Sequence, residues 1–313
     1  MNGLVTVLMT TYNEEVEWIK AALDSLIHQT YKNIEIIVVV DNPNDVERIN
    51  FLKLYEKRYK QFKLLINEKN IGLASSLNKG FKLARGKYIA RMDADDISEK
   101  NRIELQVKML EKDLNLHLVT SSCTYINEDG IILGEQNRGN MDPSQVRKGL
   151  EFINFIVHPS WLMRREVFER LDGYREFECS QDYDFLLRMI SCNFNISVCE
   201  SKLVQYRIRS NSISSSKSFK QFLIAKYIKL LHKERRRTGK DSFSLNNLND
   251  FLIANDYDTK NEVYNLSHKK FMSIREVNSR PEKILTLLQC VFISRYSREL
   301  LINSILFKLL TKR

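Results

Sequence analysis

The chain has 313 residues, of which 43% are hydrophobic and 28% charged, with only 10 Gly and 4 Pro. That is enough apolar material for one large domain, or one domain with an extension, and it excludes wholesale disorder and a linker-rich chain. The net charge of +10 is uneven: Lys202–Arg313 carries 23 Lys and Arg against 9 Asp and Glu, a net +14, while Met1–Ser201 carries 26 against 30, a net −4. A basic C-terminal third of this kind implies an anionic partner surface, either lipid or nucleic acid.

The five cysteines, Cys123, Cys179, Cys192, Cys199 and Cys290, are odd in number and form no CxxC. They read as thiols in a reducing compartment, with no zinc site. No apolar stretch reaches the ~18 residues that span a bilayer. The strand-like start leads us to expect no signal peptide and a cytoplasmic chain.

In chain order, Leu4–Met9 is a short apolar run that ends at Thr10-Thr11-Tyr12-Asn13. Glu14–Gln29 has helical spacing, and Ile34–Val40 (IEIIVVV) is a β-branched run suited to a strand covered on both faces. Asp41–Asp45 reads as a turn, Val46–Tyr59 as helix, Phe62–Ile66 as strand and Ile71–Ala84 as helix closed by Arg85-Gly86. Lys87–Ile97 (KYIARMDADDI) follows as a buried strand running into Asp93, Asp95 and Asp96. This βαβαβαβ alternation predicts an α/β fold with a doubly wound, mainly parallel sheet. Ligands bind such sheets outside the carboxyl ends of the strands. The polar clusters Thr11–Glu14, Asp41–Asp45 and Asp93–Asp96 should therefore share one crevice. Buried strands do not end in unpaired acids. The choice at Asp93–Asp96 is between a solvated strand end or helix N-cap and a hard divalent cation completed by a ligand's phosphates. GxGxxG and GxxxxGK[ST] are both absent, so a nucleotide here would have no glycine cradle.

Past residue 100 the alternation changes. Arg102–Leu110 reads as helix, and Leu116–Ile126 and Ile131–Glu135 as strands about an Asn127–Gly130 turn. Residues 137–150 are polar and read as a mobile loop. Val167–Leu171 and Asp182–Ile190 read as helices, Ile196–Cys199 and Leu203–Ile208 as two strands. From Ser218 onward the pattern is helical, with an apolar stripe from Phe219 to Leu231 interleaved with lysines, running into His232–Arg237 (HKERRR).

Six separated motifs in order give this chain a family resemblance over about residues 4–215. They are Leu4–Asn13 (LVTVLMTTYN), Ser25–Val40, Asn67–Asp96 ending in DADD, His158-Pro159-Ser160, Ser180–Arg188 (SQDYDFLLR) and Tyr206–Ser214 (YRIRSNSIS). Together they resemble the inverting glycosyltransferase family 2, with its GT-A fold. The resemblance implies a catalytic domain at 1–215, a basic helical extension at 216–313 and a donor that is a UDP-sugar. It implies that Thr11 and Glu14 line the uracil pocket, Asp41 binds the nucleoside, Asp93 contacts ribose and Asp95 holds Mn²⁺ or Mg²⁺ on the diphosphate. Asp182 matches the catalytic base. The alternative for Asp182 is an N-terminal acid facing a helix dipole, and Asp184, two residues on, reads as structural. His158 is either a satisfied structural histidine or an acceptor-side residue, and Trp161 and Tyr183 read as core.

Four positions depart from the family pattern. Val40 stands for the first of two acids, Leu77 for an Arg, Gln181 for a Glu beside the base and Arg209 for a common His. Arg209 is either a phosphate partner in place of a metal contact or surface charge. The implied product is a β-glycoside on a polyprenyl-diphosphate-linked glycan in O-antigen or capsule synthesis. The basic tail would then lie on the cytoplasmic face of the inner membrane, or else pack as an ordinary helical extension. Specificity is expected from loops 137–157 and 172–180. A GT-A-like nucleotidyltransferase would show a Gly-rich basic N-terminal loop, which Thr10–Glu15 lacks. A nucleic-acid-binding protein using the basic tail leaves the three acidic strand ends unexplained, so no nucleic-acid partner is expected.

Overall fold

A computed structural model of the chain describes residues 3–209, 218–255, 257, 260–274 and 279–311. They belong to two compact units, Met1–Val146 with Ile156–Ser210, and Arg147–Phe155 with Asn211–Arg313.

The first unit opens with four parallel strands, β1 (Val5–Thr11), β2 (Ile34–Val40), β3 (Phe62–Ile66) and β4 (Tyr88–Asp93), joined by α1 (Val16–Ile27), α2 (Val46–Arg58) and α3 (Leu73–Phe81). All seven residues of β2 are buried, as its unbroken β-branched run requires. Helix α3 lies tight on the sheet because Gly80 presents no side chain: a Cβ there would stand 2.9 Å from Val39 Cγ2. The strand order is β3-β2-β1-β4. The chain thus steps outward from β1 to β3 and then returns to the other side of β1. The reversal between β1 and β4 is a topological switch point, where the strand ends leave a crevice.

The sheet continues through β8 (Leu162–Arg164), β6 (Leu116–Ile126), β9 (Asn195–Arg207) and β5 (Ile97–Ser98), with β7 (Ile132–Gln136) on β6. Strand β8 is antiparallel to both β4 and β6, while β6 and β9 run parallel. Helices α4 (Arg102–Lys112), α5 (Pro143–Leu150), α6 (Arg165–Arg170) and α7 (Gln181–Ser191) complete the order.

Two expectations are corrected here. The polar stretch 137–150 is not all loop: residues 143–150 form α5, which buries Val146 and Leu150, an i,i+4 pair on one face. The two strands expected at 196–199 and 203–208 are one strand, β9, carried across Glu200-Ser201 by shifts of register against Ser121 and Ser122.

The second unit is helical among its described residues: α8 (Ser218–Thr238), α9 (Leu245–Ala254), α10 (Asn261–Ser273), α11 (Arg280–Ile293) and α12 (Arg295–Thr311). Its aromatic core joins Phe219 and Leu223 of α8 to Tyr264 of α10 and Tyr296 of α12, with the Phe219 ring 4.9 Å from that of Tyr264 and 5.3 Å from that of Tyr296. Ser244 caps α9 by accepting from Asn247 N at 3.0 Å. Among the described residues no helix is long and apolar enough to cross a membrane. Helix α11 turns Leu288 and Phe292 outward, 52% and 81% exposed.

Candidate active site

Strand register brings the three polar clusters together. Thr11 is paired with Val40, whose next residue is Asp41, and Thr10 with Asp93. The clusters therefore stand at the carboxyl ends of three adjacent strands, β2, β1 and β4.

The loop after β1 is a rigid wall. Thr11 Oγ1 and Tyr12 N both donate to Glu14 Oε2 at 2.8 Å. Arg48 of α2 grips the same loop from beneath: Nε and Nη2 donate to the Glu14 carbonyl at 3.1 and 2.7 Å, and Nη1 to the Tyr12 carbonyl at 3.0 Å. Asp45 caps α2 and pairs with Arg48.

Asp41 organises the loop that leads into α3. Its Oδ1 accepts from Asn67 Nδ2 at 2.8 Å and Ile71 N at 2.9 Å, and its Oδ2 accepts from Gly72 N at 2.8 Å. Gly72 caps α3 at φ +83°, ψ 164°, a region that only glycine enters readily. With four lone pairs on a carboxylate, these three bonds leave Asp41 one acceptor position.

At the end of β4 the acids are crowded. Asp93 pairs with Arg91, which is itself buried in the strand and also donates to the Met92 carbonyl. Asp96 Oδ1 accepts from Arg207 N at 2.8 Å, while its Oδ2 is buried without a hydrogen-bond partner. Burial, then the charges of Asp93 and Asp95, hold the Asp96 carboxyl well above the usual range. Arg207 Nε donates to the Asp95 carbonyl at 2.8 Å, and its Nη1 to the carbonyls of Asn127 and Glu128 at 2.8 and 2.9 Å. Asp95 is pushed up to about 6, first by burial and then by Asp93, against the opposing pull of Arg209. The Arg209 guanidinium lies 2.8 Å from Asp95 Oδ2 and 3.8 Å from Glu14 Oε1.

Among the described residues no three His, Cys, Asp or Glu side chains close a metal cage. A divalent ion on a diphosphate does not need one. It takes one or two carboxylates and completes its shell with phosphate oxygens and water. Asp95 and Asp93 suit that role as hard oxygen donors at the carboxyl end of β4.

Asp182 sits half-buried in the first turn of α7, after Ser180, which holds a left-handed conformation at φ +61°. Two tyrosines link it electrostatically to the β4 acids. Burial, then the charges of Asp96, Asp93, Asp95 and Asp182, raise the Tyr206 hydroxyl. Burial raises the Tyr174 hydroxyl too, with Asp182 and Asp93 acting in the same direction. Asp184 faces the interior and pairs with Arg188 at 2.8 Å. His158 Nε2 and Tyr174 Oη are 2.8 Å apart, and desolvation followed by the Arg91 charge holds the imidazole pKa well below its usual value. Trp161 and Tyr183 are core residues, 0% and 1% exposed.

Sequence reasoning overlooked Arg48, Arg91, Arg207, Tyr174 and Tyr206. The available signal was Arg91, a lone cation inside an otherwise apolar strand two residues before the acids begin. Residues 210–214 of the closing motif lie outside the described residues.

The family model for Glycosyl transferase family 2 matches residues 6–172, a span that takes in Thr11, Glu14, Asp41, Asp93 and Asp95 and stops short of Asp182. The chain belongs to glycosyl transferase family 2. This glycosyltransferase is 34% identical over 234 residues to an uncharacterized glycosyltransferase of Methanocaldococcus jannaschii, covering 75% of this chain and 81% of that one. It is 36% identical over 218 residues to the Escherichia coli UDP-Glc:alpha-D-GlcNAc-diphosphoundecaprenol beta-1,3-glucosyltransferase WfgD, covering 68% of this chain and 81% of WfgD. It is also similar in structure to S. aureus TarS in complex with UDP-GlcNAc, with a TM-score of 0.60 and 17% identity over 80% of this chain and 70% of that one. The expected GT-A architecture, with C-terminal helices after the sheet, is the architecture observed.

Proposed function

We propose that this glycosyltransferase moves a hexose or N-acetylhexosamine from a UDP-sugar to a glycan carried on a polyprenyl diphosphate, with inversion, in O-antigen or capsule synthesis. The observation that carries the reading is the strand register that gathers Thr11, Asp41 and Asp93 at the carboxyl ends of three adjacent strands, within a span that matches the family model. It is supported by the names of two relatives: WfgD, which acts on a diphosphoundecaprenol-linked sugar, and an E. coli O-antigen biosynthesis glycosyltransferase, WbnJ, 31% identical over 222 residues.

Thr11 and Glu14 bind the uracil, Asp41 accepts from its N–H with its remaining lone pair, and Asp93 takes a ribose hydroxyl. Asp95, with Asp93 beside it, holds Mn²⁺ or Mg²⁺, which when bound offsets the charge of the departing diphosphate. Asp182 accepts the proton of the acceptor hydroxyl as that oxygen bonds to the anomeric carbon. Attack comes from the face opposite the diphosphate, whose bond to the same carbon breaks, so an α-linked donor yields a β-glycoside. Gln181 beside the base carries no charge and so adds no like-charge repulsion to Asp182. His158 stands on the acceptor side of this reading by holding Tyr174; Arg209, assigned there too from the sequence, pairs with Asp95 and Glu14, which this reading gives to the donor. The basic second unit, with Leu288 and Phe292 outward, rests on the anionic cytoplasmic face of the inner membrane, where the lipid acceptor resides.

The test is a panel of nucleotide sugars incubated with protein and Mn²⁺, with and without a lipid-diphosphate acceptor, read as diphosphate release. Acceptor-dependent release from one UDP-sugar is the expected result. No release from any UDP-sugar overturns the reading.

A further inference from the structure

Helix α3 is bound at two places. At its start, Asp41 accepts from Ile71 N and Gly72 N, and Asn67 Nδ2 bridges Asp41 Oδ1 and Ser76 Oγ at 2.8 and 2.9 Å. On its flank, Ser75 and Asn78 stand three residues apart on one face and reach the segment that leads from α6 to α7. Asn78 Nδ2 donates to the Tyr174 carbonyl and Asn78 Oδ1 accepts from Tyr174 N, both at 2.8 Å. Ser75 Oγ donates to Glu176 Oε1 at 3.2 Å. The Asn78 contact copies a hydrogen-bonded pair of antiparallel strands, in which one residue gives both its N–H and its C=O to one partner. A primary amide offers the matching acceptor and donor side by side. Gly173 lets the amide approach: it sits at φ +67°, and a Cβ there would run into Asn78 Oδ1. The same segment is held from two further directions. Tyr174 Oη lies 2.8 Å from His158 Nε2, and Arg188 of α7 donates to the Gly173 carbonyl at 2.7 Å. Helix α7 carries Asp182 in its first turn.

We infer that Asn78 is a positioning residue for the acceptor half of the site: through the Tyr174 backbone it sets the segment that runs into the Asp182 turn against the helix seated on Asp41. The inference rests on the function proposed above, in which Asp41 serves the donor and Asp182 the acceptor. Loosening Asn78 leaves the bonds of Asp41 to Asn67, Ile71 and Gly72 in place, so nucleotide binding holds. It frees the Tyr174 backbone and the approach to α7, so the alignment of Asp182 with the incoming hydroxyl suffers.

The test compares full-length wild type, Asn78→Asp and Glu176→Ala. Asn78→Asp keeps the shape and the acceptor for Tyr174 N, but turns a carboxylate oxygen on the Tyr174 carbonyl. Glu176→Ala removes the Ser75 tie at an exposed side chain, where the fold tolerates it. Calorimetry with UDP and Mn²⁺ reads the donor side. Steady-state transfer from the UDP-sugar that the panel above selects to its lipid-diphosphate acceptor reads the acceptor side, and hydrogen exchange reads the backbone of residues 173–182. Asn78→Asp is expected to bind UDP as wild type does and to exchange faster over 173–182. It should lose roughly 10- to 100-fold in kcat/KM for the acceptor, as small misplacements of reacting groups do. Glu176→Ala should move the same quantities in the same direction by less. A purely structural role instead predicts a lowered thermal midpoint with acceptor kcat/KM per folded molecule unchanged. That result overturns the inference, as does an equal loss of UDP binding and transfer; both leave the proposed function standing. If Asn78→Asp does not fold, an unchanged acceptor kcat/KM in Glu176→Ala overturns it. Wild type that releases diphosphate from no UDP-sugar overturns the proposed function, and the inference with it.

Discussion

Asp184 and Arg188 meet one helical turn apart inside the core, Oδ2 2.8 Å from Nε, with Asp184 wholly buried. Arg188 goes on to donate to the carbonyls of Leu171 and Gly173 at 2.6 and 2.7 Å, so the pair pins α7 to the turn after α6. Removing one member leaves a buried charge uncompensated. Asp184→Ala should cost about 3–5 kcal/mol, seen as a lowered denaturation midpoint in urea.

Asp182, two residues earlier and half-buried, should behave in the opposite way. Asp182→Asn is nearly isosteric, so stability should change by less than about 0.5 kcal/mol. Transfer should fall by about 10²–10⁴-fold, the usual worth of a general base. A purified Asp182→Asn protein that turns over like wild type removes the base assignment.

Gly72 tests the loop that Asp41 organises. Its backbone conformation is one that side chains avoid, and its N–H bonds Asp41 Oδ2. Gly72→Ala should cost about 1–3 kcal/mol. It should also weaken UDP binding, because the Asp41 carboxylate loses its seat. Calorimetry with UDP beside a thermal melt measures both effects.

Glu35 supplies a pH signature away from the crevice. Burial raises its carboxyl, but bonds from Thr6 Oγ1 (2.6 Å), Arg85 N (2.6 Å) and the Arg85 guanidinium outweigh that, and the net shift is downward. A carboxyl depressed in the folded state stabilises the protein above its unfolded value of 4.5, and that stability is lost as pH falls through the lower folded value. Glu35→Gln should therefore be less stable than wild type at pH 7, and the gap should close on acidification below about 4.5. Urea titrations at stepped pH check the sign.

The outward apolar side chains of α11 should govern membrane contact. Full-length Leu288→Asp/Phe292→Asp should float less than wild type with vesicles containing anionic lipid. Both proteins should stay unbound with neutral vesicles. Equal flotation of the two proteins with anionic vesicles removes α11 from the membrane reading.

Most strands and helices up to residue 112 were legible because their apolar periods are strong and their ends are marked; the two-residue β5, which the reading merged into the run Lys87–Ile97, was not. Ile34–Val40 is unbroken, and DADD closes β4. Helix α5 was hidden because only Val146 and Leu150 interrupt a polar stretch, too few to display a period. Strand β9 looked like two strands because Glu200-Ser201 interrupts its apolar pattern, and only the register with β6 shows the continuity. At the site, the carboxylates stood out because acids at strand ends need a reason. Their partners did not, since a lone Arg reads as surface charge until the fold shows Arg48, Arg91 and Arg207 fastened to backbone carbonyls. The Arg209 contact with Asp95 joins residues more than a hundred positions apart in the sequence, and no local pattern carries it.

Arg207 spans two places in the first unit. One side holds the backbone of the acidic turn after β4, the other the tip of the β6–β7 hairpin. A change in the length of that hairpin cannot stay local, because the same side chain would drag on the turn that presents Asp95. Swapping this hairpin between relatives should thus disturb the acidic turn as well, unless the residue at 207 is exchanged along with it.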